Sequence, residues 1–151
     1  MSEPLLLPFR PVQPAAPHGL AAPLAGRLLC AMRYGPLGAS SRLRLGQYMP
    51  LLVQAGLSVS QSSFLDDEYL RALYGGRARG GAALAGYRRA LSLPQAIRQH
   101  DLLWIEKELL PWMPFWLERG VLGHTPYIVD FDDAWALRYA ASPSALVRAV
   151  L

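Results

Sequence analysis

Apolar residues fall in two alternating rhythms along this chain. Arg27 to Tyr34 is a nearly continuous apolar run ended by Gly35-Pro36, which predicts a buried strand. From Gly38-Ala39-Ser40-Ser41 onward the rhythm changes: Leu45, Tyr48, Met49, Leu52 and Val53 recur at the spacing of one buried helical face. Ser40 or Ser41 is the expected cap of that helix and Gly56 its end. Pro50 is its expected kink, because proline lacks the N–H that would bond the carbonyl of Gly46. Leu57 to Gln61 predicts a second, shorter strand, and Phe64 to Tyr74 a helix with Leu65, Tyr69, Leu70 and Leu73 apolar. Gly75, Gly76, Gly80 and Gly81 predict a loop. A helix from about Ala82 follows, with Leu84, Tyr87, Leu91 and Ile97 inward, Arg88, Arg89 and Arg98 outward, and a break at Ser92 and Pro94. Leu102 to Ile105 reads as the third strand, and Glu108 to Arg119 as a helix bent around Pro111 and Pro114. Pro126 to Val129 opens a fourth strand, and Ala145 to Leu151 begins one more helix.

Strand and helix alternating at this spacing predict parallel strands joined by right-handed crossovers, and continuous apolar runs predict cover on both faces. The expected fold class is α/β, a Rossmann-like doubly wound parallel sheet. It occupies residues 26–151 as one domain. Residues 1–25, with Pro4, Pro8, Pro11, Pro14, Pro17 and Pro23 spaced through them, read as a disordered proline-rich leader outside the fold.

Composition narrows the class. The 151 residues suffice for one domain with a real core, and 52% hydrophobic with 17% charged residues is a globular balance. The net charge of +4 comes almost wholly from arginine, Lys107 being the only lysine and asparagine being absent. That usage matches a GC-rich coding bias. Even so, guanidinium suits phosphate, so a diphosphate ligand or an anionic membrane surface fits better than a neutral partner. No feature points to nucleic acid. Cys30 is the only cysteine, which rules out an intrachain disulfide, and its apolar neighbours mark it as a small buried hydrophobe. His18, His100 and His124 are scattered, so no metal site is expected. No stretch approaches the ~18 apolar residues of a spanning helix, and no basic region precedes Leu5-Leu6-Leu7 as in a signal peptide. The expected location is cytoplasmic, either soluble or peripheral at the inner face of the plasma membrane.

In an open parallel sheet, ligands bind beyond the carboxyl ends of the strands at the switch in strand order. Three segments fall there. Gly35 to Arg42 contains Gly38, Ala39, Ser40 and Ser41, small residues that let backbone N–H groups approach an anion at a helix start, with Arg42 and Arg44 as charged donors. It is neither a dinucleotide fingerprint nor a Walker loop, and an ordinary tight turn is the competing reading. Glu106-Lys107-Glu108 follows the third strand and suits sugar hydroxyls or a charge partner, or else starts a solvated helix. Asp130-Phe131-Asp132-Asp133 ends the fourth strand, where clustered carboxylates bind a sugar, assist proton transfer, less readily hold a divalent metal, or else cap a helix. Trp104 is expected in the core, while Trp112 to Leu117 either packs inward or presents an aromatic contact surface.

With these segments in that order, the chain resembles the amino-terminal domain of family-4 glycosyltransferases, which have the two-Rossmann GT-B fold. The residues that carry the likeness are Leu28 to Gly38, Asp101 to Lys107, and Pro126 to Asp133. The resemblance implies a nucleotide-sugar donor as co-substrate, no other cofactor, and a glycan or lipid-linked acceptor. It puts Gly35, Gly38, Ala39, Ser40, Ser41 and Arg42 opposite the donor diphosphate. Arg44, Glu106, Lys107, Glu108 and Asp130 would then line the acceptor side, with Asp132 and Asp133 in the catalytic position. The family's frequent histidine is Asp132 here, and its double-glycine loop is reduced to Gly38-Ala39. Members carry a carboxyl-terminal Rossmann domain, with two glutamates seven residues apart, that makes most donor contacts. Nothing in this chain corresponds to it, so the chain is expected to be a truncated half, inactive alone. A non-catalytic binding module derived from the same scaffold is the alternative.

Overall fold

The computed structural model describes residues 24–150. Strands β1 (Gly26–Tyr34), β2 (Leu57–Leu65), β3 (Leu102–Glu106) and β4 (Tyr127–Asp130) form one sheet in the order β2-β1-β3-β4. All three pairings are parallel, with Cys30 beside both Gln61 and Trp104 and with Glu106 beside Asp130. The chain leaves β1 for β2 on one side, then crosses back over β1 to β3. The switch in direction therefore lies between the carboxyl ends of β1 and β3.

Helices cover the two faces accordingly. Helices α1 (Ala39–Arg44) and α2 (Met49–Gln54), joined by a 3-10 turn over Gly46–Tyr48, connect β1 to β2. They pack with Leu28, Cys30, Met32 and Leu45 on one face of the sheet. Helices α3 (Asp67–Tyr74), α4 (Gly80–Ala90), α5 (Leu93–Arg98) and α6 (Phe115–Leu122) lie on the other, around Leu29, Ala31, Phe64, Leu65, Leu103 and Ile105. The fold is α/β and doubly wound, Rossmann-like in its parallel sheet. Opposite faces for opposite directions of travel are what right-handed crossovers require. Helices α7 (Trp135–Ala140) and α8 (Ala145–Val150) follow β4. Among the described residues, no helix is long and apolar enough to cross a membrane.

Several expected elements differ, each for a physical reason. Residues 1–23 of the leader lie outside the described residues, but Leu24, assigned to it, already donates its N–H to Ala55 O at 2.8 Å. Neither Ser40 nor Ser41 caps α1. Gly38 occupies the cap position and Ser41 is buried, its hydroxyl turned to the sheet. Pro50 starts α2 instead of kinking a longer helix, because its missing N–H is harmless in a first turn. Strand β2 runs on through Phe64 and Leu65, and α3 begins only after Asp66, whose carboxylate caps it by accepting from Tyr69 N at 3.1 Å.

Leu84 and Leu91, expected inward, are 51% and 81% exposed. Helix α4 instead turns its small residues to the sheet. Gly86 lies so close to β2 that a Cβ there would come within 2.6 Å of Phe64 O, while Ala82, Ala83 and Ala90 complete the contact. Glu108 does not start a helix: residues 107–114 form an irregular loop, and Pro114 is the cap from which α6 departs.

Candidate functional site

The γ-turn that ends β3 decides how charges are distributed along the rim. Glu108 N–H donates to Glu106 O at 2.9 Å across Lys107, whose φ of 66° is a conformation that non-glycine residues rarely adopt. Residues two apart would share one side of a continuing strand. Here the reversal sends Glu106 toward α1 on one face and Glu108 toward Arg33 on the other.

Glu106 is fully buried at the switch point. One carboxylate oxygen accepts from Ser40 Oγ at 2.7 Å, and the other accepts from Arg33 N at 3.0 Å and from the Ser41 hydroxyl. Ser41 Oγ in turn accepts from Tyr34 N at 3.0 Å. A buried carboxylate is tolerated only with such donors, and this one bolts the β1–α1 loop to the end of β3. The glycines make the loop tight enough for this. A Cβ on Gly38 would fall 2.3 Å from that of Tyr34.

Beside it, on the same face, Arg44 forks onto Asp130. Its Nε donates to Oδ2 at 3.0 Å and its second nitrogen to Oδ1. Arg44 also lies 3.7 Å from Asp132, which Lys107 Nζ holds at 2.9 Å. Burial pushes the Asp132 pKa up, but the Lys107 hydrogen bond and charge, together with Arg44, outweigh it and hold the carboxyl below its usual range. Asp132 is thus an ionised group suited to orienting a hydroxyl or balancing positive charge, and a poor proton donor.

On the opposite face, Arg33 is only 4% exposed and donates to Glu108 Oε2 at 2.7 Å. The Trp112 ring covers the guanidinium with its centroid 5.5 Å away, and the α7 hydroxyl of Tyr139 donates to the other Glu108 oxygen. Arg33 was not anticipated as a site residue. The signal was present, since Arg33 directly follows the apolar run Leu28 to Met32, where a charge drawn inside must find a buried partner.

The three segments thus meet on one rim, and most of the expected residues meet there. Ser40 and Ser41 gather on Glu106, Arg44 and Lys107 gather on Asp130 and Asp132 beside them, and Glu108 lies across the sheet. Asp133 is exposed and has no polar partner among the described residues. Arg42 turns back to donate to Pro36 O at 3.0 Å, and Ala39 is exposed. Within the Gly35 loop, much of the donor capacity expected to face a phosphate is already engaged. Gly35 N–H bonds Leu65 O, Gly38 N–H bonds Gly35 O, and Leu37 N–H bonds the Asp67 carboxylate at 3.0 Å. The N–H groups of Ala39, Ser40 and Ser41 precede the first intrahelical bond of α1, from Arg42 N to Gly38 O. No group of three or more metal-ligating side chains occurs among the described residues.

Of the aromatics, Trp104 is partly buried against the α1–α2 face and stacks on Tyr48 with centroids 6.2 Å apart. Phe115 and Trp116 are 59% and 69% exposed, and only Met113 and Leu117 of that stretch pack on the core. Compared with family models, curated proteins and solved structures, the chain matches none of them.

Proposed function

We propose that this chain is the amino-terminal, acceptor-side domain of a nucleotide-sugar-dependent glycosyltransferase of the GT-B type, acting on a glycan or lipid-linked acceptor. The supporting observation is the rim itself. Three loops distant in sequence bring two serines, two cations and three carboxylates to the strand-order switch of a parallel sheet, where such folds bind ligands. Donor binding falls to a second Rossmann-like domain facing the rim, with the Ala39 and Ser40 N–H groups turned to the diphosphate. Asp132 then orients the acceptor hydroxyl or balances charge on the donor sugar, and fixed cations and dipoles stabilise the leaving diphosphate. Exposed Trp112, Phe115 and Trp116 suit contact with a membrane surface that carries the acceptor.

One observation favours the alternative of a non-catalytic module: the rim charges already pair with one another. The DNA beyond Leu151 tests the premise of the first reading. It is expected to encode a second Rossmann-like domain, and its inability to do so in any frame overturns the reading. Where that domain exists, the joined protein is expected to release nucleoside diphosphate from a nucleotide sugar in the presence of acceptor. Asp132→Asn should slow that release by about 10²-fold. Unchanged release from Asp132→Asn favours the non-catalytic module.

A further inference from the structure

Below the Arg44–Asp130 pair, on the face that carries α1 and α2, no helix covers β4 among the described residues, and β3 is covered only in part. A cleft of about 500 Å³ opens there, lined by Leu43, Arg44, Tyr48, Trp104, Ile128 and Asp130. The topology leaves it open, because every crossover after β2 passes on the opposite face. Its volume lies in the ~300–1,000 Å³ range of small-molecule sites.

Its lining is two-sided in chemistry. The floor is the Tyr48–Trp104 stack, with planes 25° apart, and Tyr48 and Ile128 are both exposed to the cleft's solvent side. At one end stand a guanidinium and a carboxylate that are held rigidly by each other, yet whose side chains remain 22% and 27% accessible. The fork uses two of the five guanidinium donors, which leaves others for a ligand. The indole N–H of Trp104 is buried, with no acceptor among the described residues.

An apolar flat floor with a fixed donor–acceptor pair at its edge matches one class of molecule well, a saturated ring with a C–H face and a rim of hydroxyls. A lipid chain has no use for the ion pair, and a free phosphate none for the aromatic floor. We infer that this cleft is a pyranose subsite. A sugar ring lies on Tyr48 and Trp104 and bonds its hydroxyls to Arg44 and Asp130, which presents a neighbouring unit of the acceptor to Asp132. The assignment rests on the transferase reading for its purpose, but sugar binding by the cleft does not require that reading.

The test uses the full 151-residue chain, without donor. The methyl glycosides of glucose, galactose, mannose and N-acetylglucosamine are each titrated while the Trp104 indole and Ile128 methyl resonances are followed by NMR. At least one glycoside is expected to shift both, with millimolar affinity. Tyr48→Ala and Asp130→Asn should each weaken binding about tenfold in chains whose spectra remain those of the folded protein. The proposal is overturned if no glycoside shifts the cleft resonances, if the shifts lie elsewhere on the molecule, or if folded Tyr48→Ala binds equally well. Failure here leaves transfer by the joined two-domain protein standing, whereas sugar binding without transfer removes the enzyme and keeps the subsite.

Discussion

Glu118 sits in the first turn of α6 with its carboxylate accepting the Leu110 N–H at 2.7 Å. Burial pushes its pKa from 4.5 to about 7, with the charge of Glu108 adding to the rise and the Leu109 and Leu110 N–H groups opposing it. A folded carboxyl with a raised pKa binds its proton more tightly than the unfolded one. Its contribution to stability is therefore complete below the unfolded value and fades as pH rises from about 4.5 to about 7. Asp101 and Asp132, both held below the usual range by basic partners, act in the opposite sense and lose their contribution only on acidification through their folded values. The windows are separate, so Glu118 can be isolated. Discounted for partial solvent access, its loss amounts to about 1–2 kcal/mol across that window. Urea unfolding on either side of the window should show this fall in the parent chain and a flat profile in Glu118→Gln. An equal slope in both would remove Glu118 as its source.

At the scale of elements, α4 shows why strands were easier to read than helices. A strand covered on both faces is apolar nearly throughout, and the run from Leu28 to Met32 or from Leu102 to Ile105 announces itself in any register. A helix is read by its larger apolar residues, and that fails where backbone approaches backbone. On α4 the inward stripe is Ala82, Ala83, Gly86, Tyr87 and Ala90, mostly small residues, and Leu84 is left outside. The approach is testable because two glycines of the same helix differ in surroundings. Gly86→Ala places a methyl 2.6 Å from a backbone carbonyl and 3.0 Å from the Phe64 ring, so it should destabilise by about 1–3 kcal/mol. Gly81→Ala meets nothing within 4 Å and should be neutral or stabilise by up to about 1 kcal/mol. Thermal unfolding of the two variants reads the difference, and equal shifts would mean α4 does not seat on β2 through Gly86.

The same limit governed the site. That three loops would gather followed from parallel pairing alone, which puts the carboxyl ends of the strands on one rim. That Glu106 turns one way and Glu108 the other did not, because the γ-turn at Lys107 leaves no trace in composition. Nor does the sequence show that Ser40 and Ser41 would serve Glu106 instead of capping α1, because that choice depends on how near β3 stands to the first loop. Asp130 and Asp132 look like mutually repelling carboxylates until Arg44 and Lys107, far away in the chain, are brought between them.

For the whole molecule, the uncovered surfaces matter as much as the core. Helices close the sheet over β1 on both faces, but among the described residues none covers β4 on the face that carries α1 and α2. On the other side, α6 turns Phe115 and Trp116 to solvent beside Trp112, at 59%, 69% and 40% exposure. Clustered exposed aromatics of this kind mark contact surfaces, and a chain that offers them to water will associate through them. The native chain should therefore bind an apolar fluorescent dye and elute earlier from gel filtration as its concentration rises. Phe115 and Trp116 add little to the core, so replacing both with serine should change stability by within about 0.5 kcal/mol. The replacement should also reduce the dye signal by roughly half and make elution independent of concentration, since the α6 patch is then polar while the β3–β4 cleft is untouched. A native chain that is monodisperse at every concentration and silent toward the dye would mean that these rings lie against the domain, leaving no aromatic face for a membrane or a second domain to meet.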